Sequence, residues 1–308
     1  MIENNEYKKF FLKVKKSYLK YLRKQEVLGE PFHDKIGQLK NIYIPICSYI
    51  FKQYILSKKT IIIGLSGGQG SGKTTITNIL KIILKKNFNL NVVSFSIDDF
   101  YKTLNERKKM SNKEDKLFLT RGVPGTHDIS FLKKTLNNLK KKDFKKCYVP
   151  KFNKSIDDRY PKNKWNKVKK KPEIVIFEGW CVGAKHQSTK KLKKPINLLE
   201  KNYDKGMKWR IKVNNELKNR YKFIFKQIDK LIFLQVPNFN YVYKWRTLQE
   251  KKLKFMTKGK KIMSGIKIKE FIMFYERITR QMLIDLKHKA NIVIKLDKKH
   301  RLVNIKFN

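Results

Sequence analysis

Cysteine is scarce in this chain: Cys47, Cys147 and Cys181 are three residues in 308, odd in number and far apart. They form neither a disulfide framework nor a metal-ligand spacing, and the pattern suits a reducing, cytoplasmic compartment. Long apolar runs are missing too. No stretch of about 18 uncharged apolar residues occurs, so no membrane-spanning helix is expected. The first residues, from Met1 to Lys9, carry acids and lack the apolar run of a secretory signal. Internal repeats are absent, and lysine clusters are the nearest thing to low complexity.

Acidic residues are few, 25 against 74 basic ones, which leaves a formal net charge of +49. Such a field draws polyanions, nucleic acid above all. Arginine, however, supplies ten of those 74 basic residues and lysine the other 64. A protein that reads phosphates and bases leans on the planar, bidentate arginine fork. The lysines are spread along the chain, beside plentiful Asn, Ile, Phe and Tyr, as an AT-rich genome would encode. The charge therefore reads as compositional drift, with no specific nucleic-acid partner.

What the chain does have is one organising stretch, Ile61 to Thr75. Its start, Ile61-Ile-Ile-Gly-Leu65, reads as a strand buried on both faces. Gly67-Gly68-Gln69-Gly70-Ser71-Gly72-Lys73-Thr74 follows with the Walker A pattern. An apolar-periodic helix from Thr75 carries Ile76, Ile79, Leu80, Ile83 and Leu84. Strand, glycine loop and helix in that order are the context this motif requires. Glycines let backbone N–H groups surround phosphate oxygens, and the helix N-terminus adds its positive dipole end. Lys73 is expected to reach the β- and γ-phosphates of ATP, and the Thr74 hydroxyl to bind Mg²⁺.

Residues 1–58 read as an N-terminal helical extension, with one helix over about 5–25, a break at Gly29 and Pro31, and a second over about 32–57, interrupted at Pro45. Residues 59–308 read as one domain. Strands are expected near 91–97, 173–178, 230–236 and 290–296, with helices over 129–139, 196–226 and 267–286. Residues 148–152 read as a short edge segment because of Pro150, residues 153–171 as a polar loop, and residues 238–258 as a charged helix or lid. Strands alternating with helices give an α/β fold, a doubly wound parallel sheet of the P-loop kind.

Ligands in such sheets sit beyond the carboxyl ends of the strands. Three elements converge there: the Walker A loop, Asp98-Asp99 and Glu178. An aspartate at the second strand's end would accept the proton of an attacking hydroxyl, and Glu178 would hold Mg²⁺. A pair capping a turn is the plainer reading of Asp98-Asp99.

Four strings now carry a resemblance: Gly67 to Thr74, Ser96-Ile-Asp-Asp-Phe-Tyr101, Arg121-Gly-Val-Pro-Gly-Thr-His-Asp128 and Ile176-Phe-Glu-Gly-Trp180. In that order they resemble the D-glycerate 3-kinases, P-loop kinases related to uridine kinase, phosphoribulokinase and bacterial pantothenate kinase. The resemblance runs over roughly residues 35–308, including Ile42-Tyr-Ile-Pro45 and Met263-Ser264.

It implies an ATP- and Mg²⁺-dependent kinase acting on a hydroxyl of a small metabolite, D-glycerate. By position, Asp98 matches the catalytic base, and Asp99 is a neighbour that assists with Mg²⁺ or the acceptor. Arg121, His127, Asp128, Lys151 and Arg159 match segments facing the acceptor, where cations suit a carboxylate. Arg246 falls in the lid, where it would steady transferring charge. The chain departs from the family at Asn153, in Phe152-Asn-Lys-Ser155, where relatives commonly have Asp. A nucleoside, pantothenate or sugar-phosphate acceptor stays open as an alternative, as does a nucleic-acid-binding ATPase on the strength of the charge alone.

Overall fold

A computed structural model of the chain describes residues 4–26, 31–257 and 263–308. The strands are β1 (Ile61–Gly67), β2 (Val92–Ser96), β3 (Cys147–Val149), β4 (Phe152–Asn153), β5 (Asp158–Arg159), β6 (Asn166–Val168), β7 (Ile174–Gly179), β8 (Lys230–Gln235), β9 (Ile292–Leu296) and β10 (Leu302–Phe307). Six of them form the central sheet in the order β10-β9-β8-β1-β7-β2. All neighbours in it are parallel except β10, which runs antiparallel to β9. The α/β expectation and all five of its strands are therefore found.

Side chains alternate across the sheet, so each strand feeds two separate cores. Ile62, Val175, Phe177, Phe233 and Val293 face one side. There they meet Leu132 and Leu136 of the helix Ile129–Lys140 and Tyr275 and Met282 of the helix Gly265–Lys289. Ile61, Ile63, Ile174, Ile176, Ile232 and Leu234 face the other. That side is covered by Ile79 and Ile83 of the helix Lys73–Phe88, and by Val14, Tyr18 and Leu22 of the helix Asn4–Gln25. The N-terminal helices thus share a core with the sheet and form part of its second layer.

The helical segment containing Pro45 is not broken. Lys35–Gln38 continues through a wider π turn, Leu39–Tyr43, into the helix Ile44–Ser57. The Ile44 N–H reaches back to the Leu39 carbonyl there. Proline lacks the next donor, and one wide turn just before it absorbs the mismatch. Gly29, an expected helix breaker, and residue 258, the expected end of the lid, lie outside the described residues.

Two differences from expectation bear on the site. The expected loop 153–171 contains structure: β4 pairs with β5 in a small hairpin, and β6 pairs with β3. The last strand, β10, is an addition that the sequence pattern did not announce, because only Leu302 and Ile305 among its residues before Phe307 face inward. Asp297 fixes the turn before it, accepting the N–H groups of Lys299 at 2.8 Å and Arg301 at 2.9 Å.

Candidate active site

Parallel pairing sets the geometry. Glu178 on β7 lies opposite Leu65 of β1 on one side and Ser96 of β2 on the other. The chain therefore leaves β1 into the glycine loop, and β2 into Asp98, on either side of Glu178. Three strand ends deliver one phosphate-binding loop and two carboxylates to a single edge, as parallel sheets do.

In the loop, Gly70 has φ 74° and Gly72 φ 87°, conformations that cost little only without a side chain. A Cβ on Gly70 would also lie 2.7 Å from the Trp245 backbone, so the helix Phe239–Thr257 rests directly on the loop. The Lys73 ammonium donates to the Gly67 and Gly68 carbonyls, each at 2.9 Å. Burial pulls its pKa down, while Glu178 and Asp98 hold it up. Glu178 is buried and accepts from the Thr74 and Thr77 hydroxyls, each at 2.8 Å. The Ser71 hydroxyl is buried with no partner among the described residues.

Beyond β2 the two aspartates separate. Asp99 turns back to accept the Ser96 N–H at 3.0 Å while the Ser96 hydroxyl caps the same short turn. Burial pushes its carboxyl up to about 6, against the pull of that backbone bond. Asp98 instead accepts the Tyr101 hydroxyl at 2.9 Å and the Lys154 ammonium at 2.8 Å. Burial would raise its pKa, but Lys154, at hydrogen-bond distance, holds the carboxyl well below the usual range. Capping thus describes Asp99 and not Asp98.

The acceptor-side residues divide in the same way. Arg121 pairs with Asp157 and lies 5.5 Å over the Phe152 ring. The buried Arg107, which the sequence reading did not single out, braces the same Asp157 carboxylate at 2.9 Å. It also donates to the Leu119 and Asp157 carbonyls at 2.6 and 2.7 Å. Arg159 donates to the Tyr101 carbonyl at 2.8 Å and lies 3.7 Å from Asp128. Asp128 is an N-cap, accepting the Phe131 N–H at 3.0 Å, so its carboxylate is engaged with backbone.

His127 is fully buried, with Nδ1 2.6 Å from the Tyr221 hydroxyl and its ring stacked on Tyr101 at 4.5 Å. Burial pushes its pKa down to about 3, which keeps the imidazole neutral at pH 7. Its Nε2 has no partner among the described residues. Lys151 is not drawn into the cluster: its side chain is exposed, and its carbonyl accepts the Tyr160 N–H at 2.8 Å. The cation that does reach Asp98 is Lys154, three residues on, in the hairpin that replaces the expected polar loop. Asn153 holds that hairpin, accepting the Ser155 N–H and hydroxyl at 3.1 and 2.6 Å. An aspartate would accept the same two bonds, so the departure from the family at this position preserves the turn.

Arg246 lies along its own helix, paired with Glu250 and 5.7 Å over Phe271. The helix touches the loop through Trp245 instead. A metal ion at this edge would meet oxygen donors, the Thr74 hydroxyl and the Glu178 carboxylate. No group of three or more His, Cys, Asp or Glu side chains among the described residues could hold one unaided. That donor set fits Mg²⁺, which favours one or two carboxylates, water and substrate phosphate.

The model of the phosphoribulokinase/uridine kinase family matches residues 62–243, from β1 into the helix on the loop. The chain belongs to that family. An uncharacterized kinase of Schizosaccharomyces pombe, mug58, is 35% identical to the chain over 248 residues, 78% of this chain and 87% of that protein. A chloroplastic D-glycerate 3-kinase of Arabidopsis thaliana is 28% identical over 256 residues, 78% of this chain; the chain spans about half, 53%, of that relative. Among solved structures, a D-glycerate 3-kinase of Cryptococcus neoformans superposes with a TM-score of 0.74 at 23% identity, covering 87% of this chain and 99% of its own. That likeness fixes the fold as that of the P-loop kinases. No helix among the described residues is long and apolar enough to cross a membrane.

Proposed function

We propose that this kinase uses ATP with Mg²⁺ to phosphorylate a hydroxyl of a small anionic metabolite, D-glycerate. One observation carries the reading: the Asp98 carboxylate, beside the phosphate loop, is hydrogen-bonded to the Lys154 ammonium on the hairpin of β4 and β5. A carboxylate that can receive a hydroxyl proton thus sits next to cations that can hold a substrate carboxylate. The relatives named as D-glycerate 3-kinases support the acceptor.

In this reading the N–H groups of residues 67–75 surround the β- and γ-phosphates, and Lys73 exchanges the Gly67 and Gly68 carbonyls for phosphate oxygens. Thr74 and Glu178 hold Mg²⁺, which when bound offsets the charge of the phosphates. Lys154 and Arg121 take the acceptor's carboxylate, with Arg159 and the neutral His127 behind them. Asp98 orients the hydroxyl and receives its proton late in a loose transfer, so a weak base suffices. Once Lys154 turns to the substrate, the carboxylate loses its strongest ionic partner and becomes more basic. The helix Phe239–Thr257, with Arg246, acts as a lid that excludes water. Three buried free thiols fit a cytoplasmic setting.

A panel of acceptors assayed with labelled ATP tests the reading. Glycerate should be phosphorylated with the highest kcat/KM, ahead of pantothenate, nucleosides and sugar phosphates. Preference for a neutral acceptor, or ATP turnover that requires polynucleotide, would overturn it.

A further inference from the structure

Backbone bonds fasten the loop that carries His127 to the segment after β2. The Lys102 N–H donates to the Thr126 carbonyl at 2.9 Å, and the Asp128 N–H to the Phe100 carbonyl at 2.7 Å. Tyr101 and His127 are thereby paired across a short bridge, with their rings stacked at 4.5 Å. Since the Tyr101 hydroxyl donates to Asp98, the imidazole lies next to the tyrosine that touches the proposed base. Asp98 and His127 are close enough to bear on one another's titration.

The imidazole also meets Tyr221, which ends a wide π turn, Leu217–Tyr221, in the helical stretch before β8. The Tyr221 hydroxyl accepts the Gly125 N–H at 3.0 Å and lies 2.6 Å from His127 Nδ1. Burial keeps the ring neutral, so it carries a single N–H. Which nitrogen holds that proton follows from counting. A tyrosine hydroxyl has one proton to give. Given to Nδ1, it leaves the imidazole proton on Nε2, the one group without a partner among the described residues. The opposite tautomer would strand two groups, the tyrosine proton and the Nε2 lone pair. Buried polar groups rarely go unpaired, so the first arrangement holds.

A fully buried N–H without a partner is costly until a ligand completes it. Glycerate brings three polar groups, a carboxylate and two hydroxyls. In the proposed reaction one hydroxyl goes to Asp98 and the carboxylate to Lys154 and Arg121. The second hydroxyl remains, and a neutral donor suits it. We infer that His127, its tautomer set by Tyr221, donates Nε2–H to this second hydroxyl and is the contact that selects one enantiomer of the acceptor. Three fixed contacts distinguish mirror images, whereas two do not. Tyr221 is then a positioning residue, acting through the ring. The inference rests on the reading that glycerate is the acceptor.

Nitrogen NMR of the full chain, labelled at histidine, reads the tautomer with no acceptor present. The imidazole that Tyr221→Phe perturbs should carry its proton on Nε2 in the wild type. A proton on Nδ1, or a spectrum that the substitution leaves unchanged, overturns the inference. Steady-state kcat/KM is then compared for D- and L-glycerate. The wild type should favour the D form about tenfold or more, because a site built to bond a hydroxyl rejects ligands that misplace it. His127→Phe keeps a ring on Tyr101 but has no N–H. Its D-to-L ratio should fall about tenfold, the upper worth of one neutral hydrogen bond. Tyr221→Phe, the milder change, should lower the ratio part of the way. Equal losses for both enantiomers in both variants would assign the two residues to the fold alone and overturn the inference. Equal use of both enantiomers by the wild type overturns it with no variant needed, and leaves the proposed reaction standing. Phosphorylation of neither defeats the proposed acceptor, and this contact with it.

Discussion

The Lys154 ammonium lies 2.8 Å from the Asp98 carboxylate, bridging the hairpin of β4 and β5 to the end of β2. The pair is half open to solvent, with Lys154 63% and Asp98 24% exposed, so the lysine is free to exchange partners. A charge-assisted bond to a substrate carboxylate is worth roughly 1.5–3 kcal/mol. Lys154→Met should therefore raise KM for an anionic acceptor about tenfold to a hundredfold and leave KM for ATP in place. Because Lys154 also holds the Asp98 pKa down, the acid limb of kcat/KM should move to higher pH in the variant. A limb that stays put would show that Asp98 does not govern the profile.

Asp98→Asn keeps the hydrogen bond from Tyr101 but removes the proton acceptor. General bases contribute roughly 10²–10⁴-fold, so kcat should fall by at least a hundredfold while ADP still binds. Loss of less than about tenfold in steady-state transfer would assign the base elsewhere. The same substitution at Asp99 should leave kcat within a few-fold, since that carboxylate faces the Ser96 N–H.

The sheet, the loop and both strand-end carboxylates were legible because each depends on local pattern: apolar runs, a glycine spacing, an acid after a strand. What separated Asp98 from Asp99 was not legible, because one capping bond decides which carboxylate turns to backbone. Lys154 was hidden for a related reason. In a chain with 64 lysines no single lysine stands out, and a hairpin of two-residue strands leaves no periodicity to read. Arginine carried a signal that passed unused. Nine of the ten, at 107, 121, 159, 210, 220, 246, 277, 280 and 301, pair with a carboxylate. Where composition drifts towards lysine, arginine persists at sites that need its planar fork.

Arg107 is the strongest case. It is fully buried, yet satisfied by Asp157 and by the carbonyls of Lys102, Leu119 and Asp157. Arg107→Met strips these groups of their donor, and because the Asp157 side chain keeps 36% of its surface in solvent, the cost is that of lost charge-assisted hydrogen bonds, roughly 1.5–3 kcal/mol. Urea unfolding should report a loss of that order, and Arg107→Lys should not restore it, because an ammonium cannot reach several acceptors in one plane. Arg121 shares Asp157, so any folded variant should also show a raised acceptor KM. Wild-type stability in Arg107→Met would remove Arg107 from the scaffold of the acceptor side.

Asp99 sets a pH dependence of stability with a definite sign. Its folded pKa, pushed up to about 6 by burial, exceeds the ordinary aspartate value of 3.8, so the native state holds the extra proton between those values. Its contribution is full below pH 3.8 and is lost as pH rises through 6. His127 acts in the opposite sense: burial lowers its pKa from 6.5 to about 3, so its contribution is present above pH 6.5 and fades as pH falls. The two slopes oppose one another in mildly acidic solution, and the whole-protein curve alone hides both. Comparing Asp99→Asn with the wild type isolates the first. The variant carries no charge to bury and keeps an oxygen for the Ser96 N–H. Its stability relative to the wild type should therefore climb between about pH 4 and pH 7, by on the order of 1–3 kcal/mol. Urea midpoints at four pH values across that window measure it. A difference that is flat with pH would mean that Asp99 titrates as an ordinary exposed carboxylate and that the turn after β2 does not bury its charge.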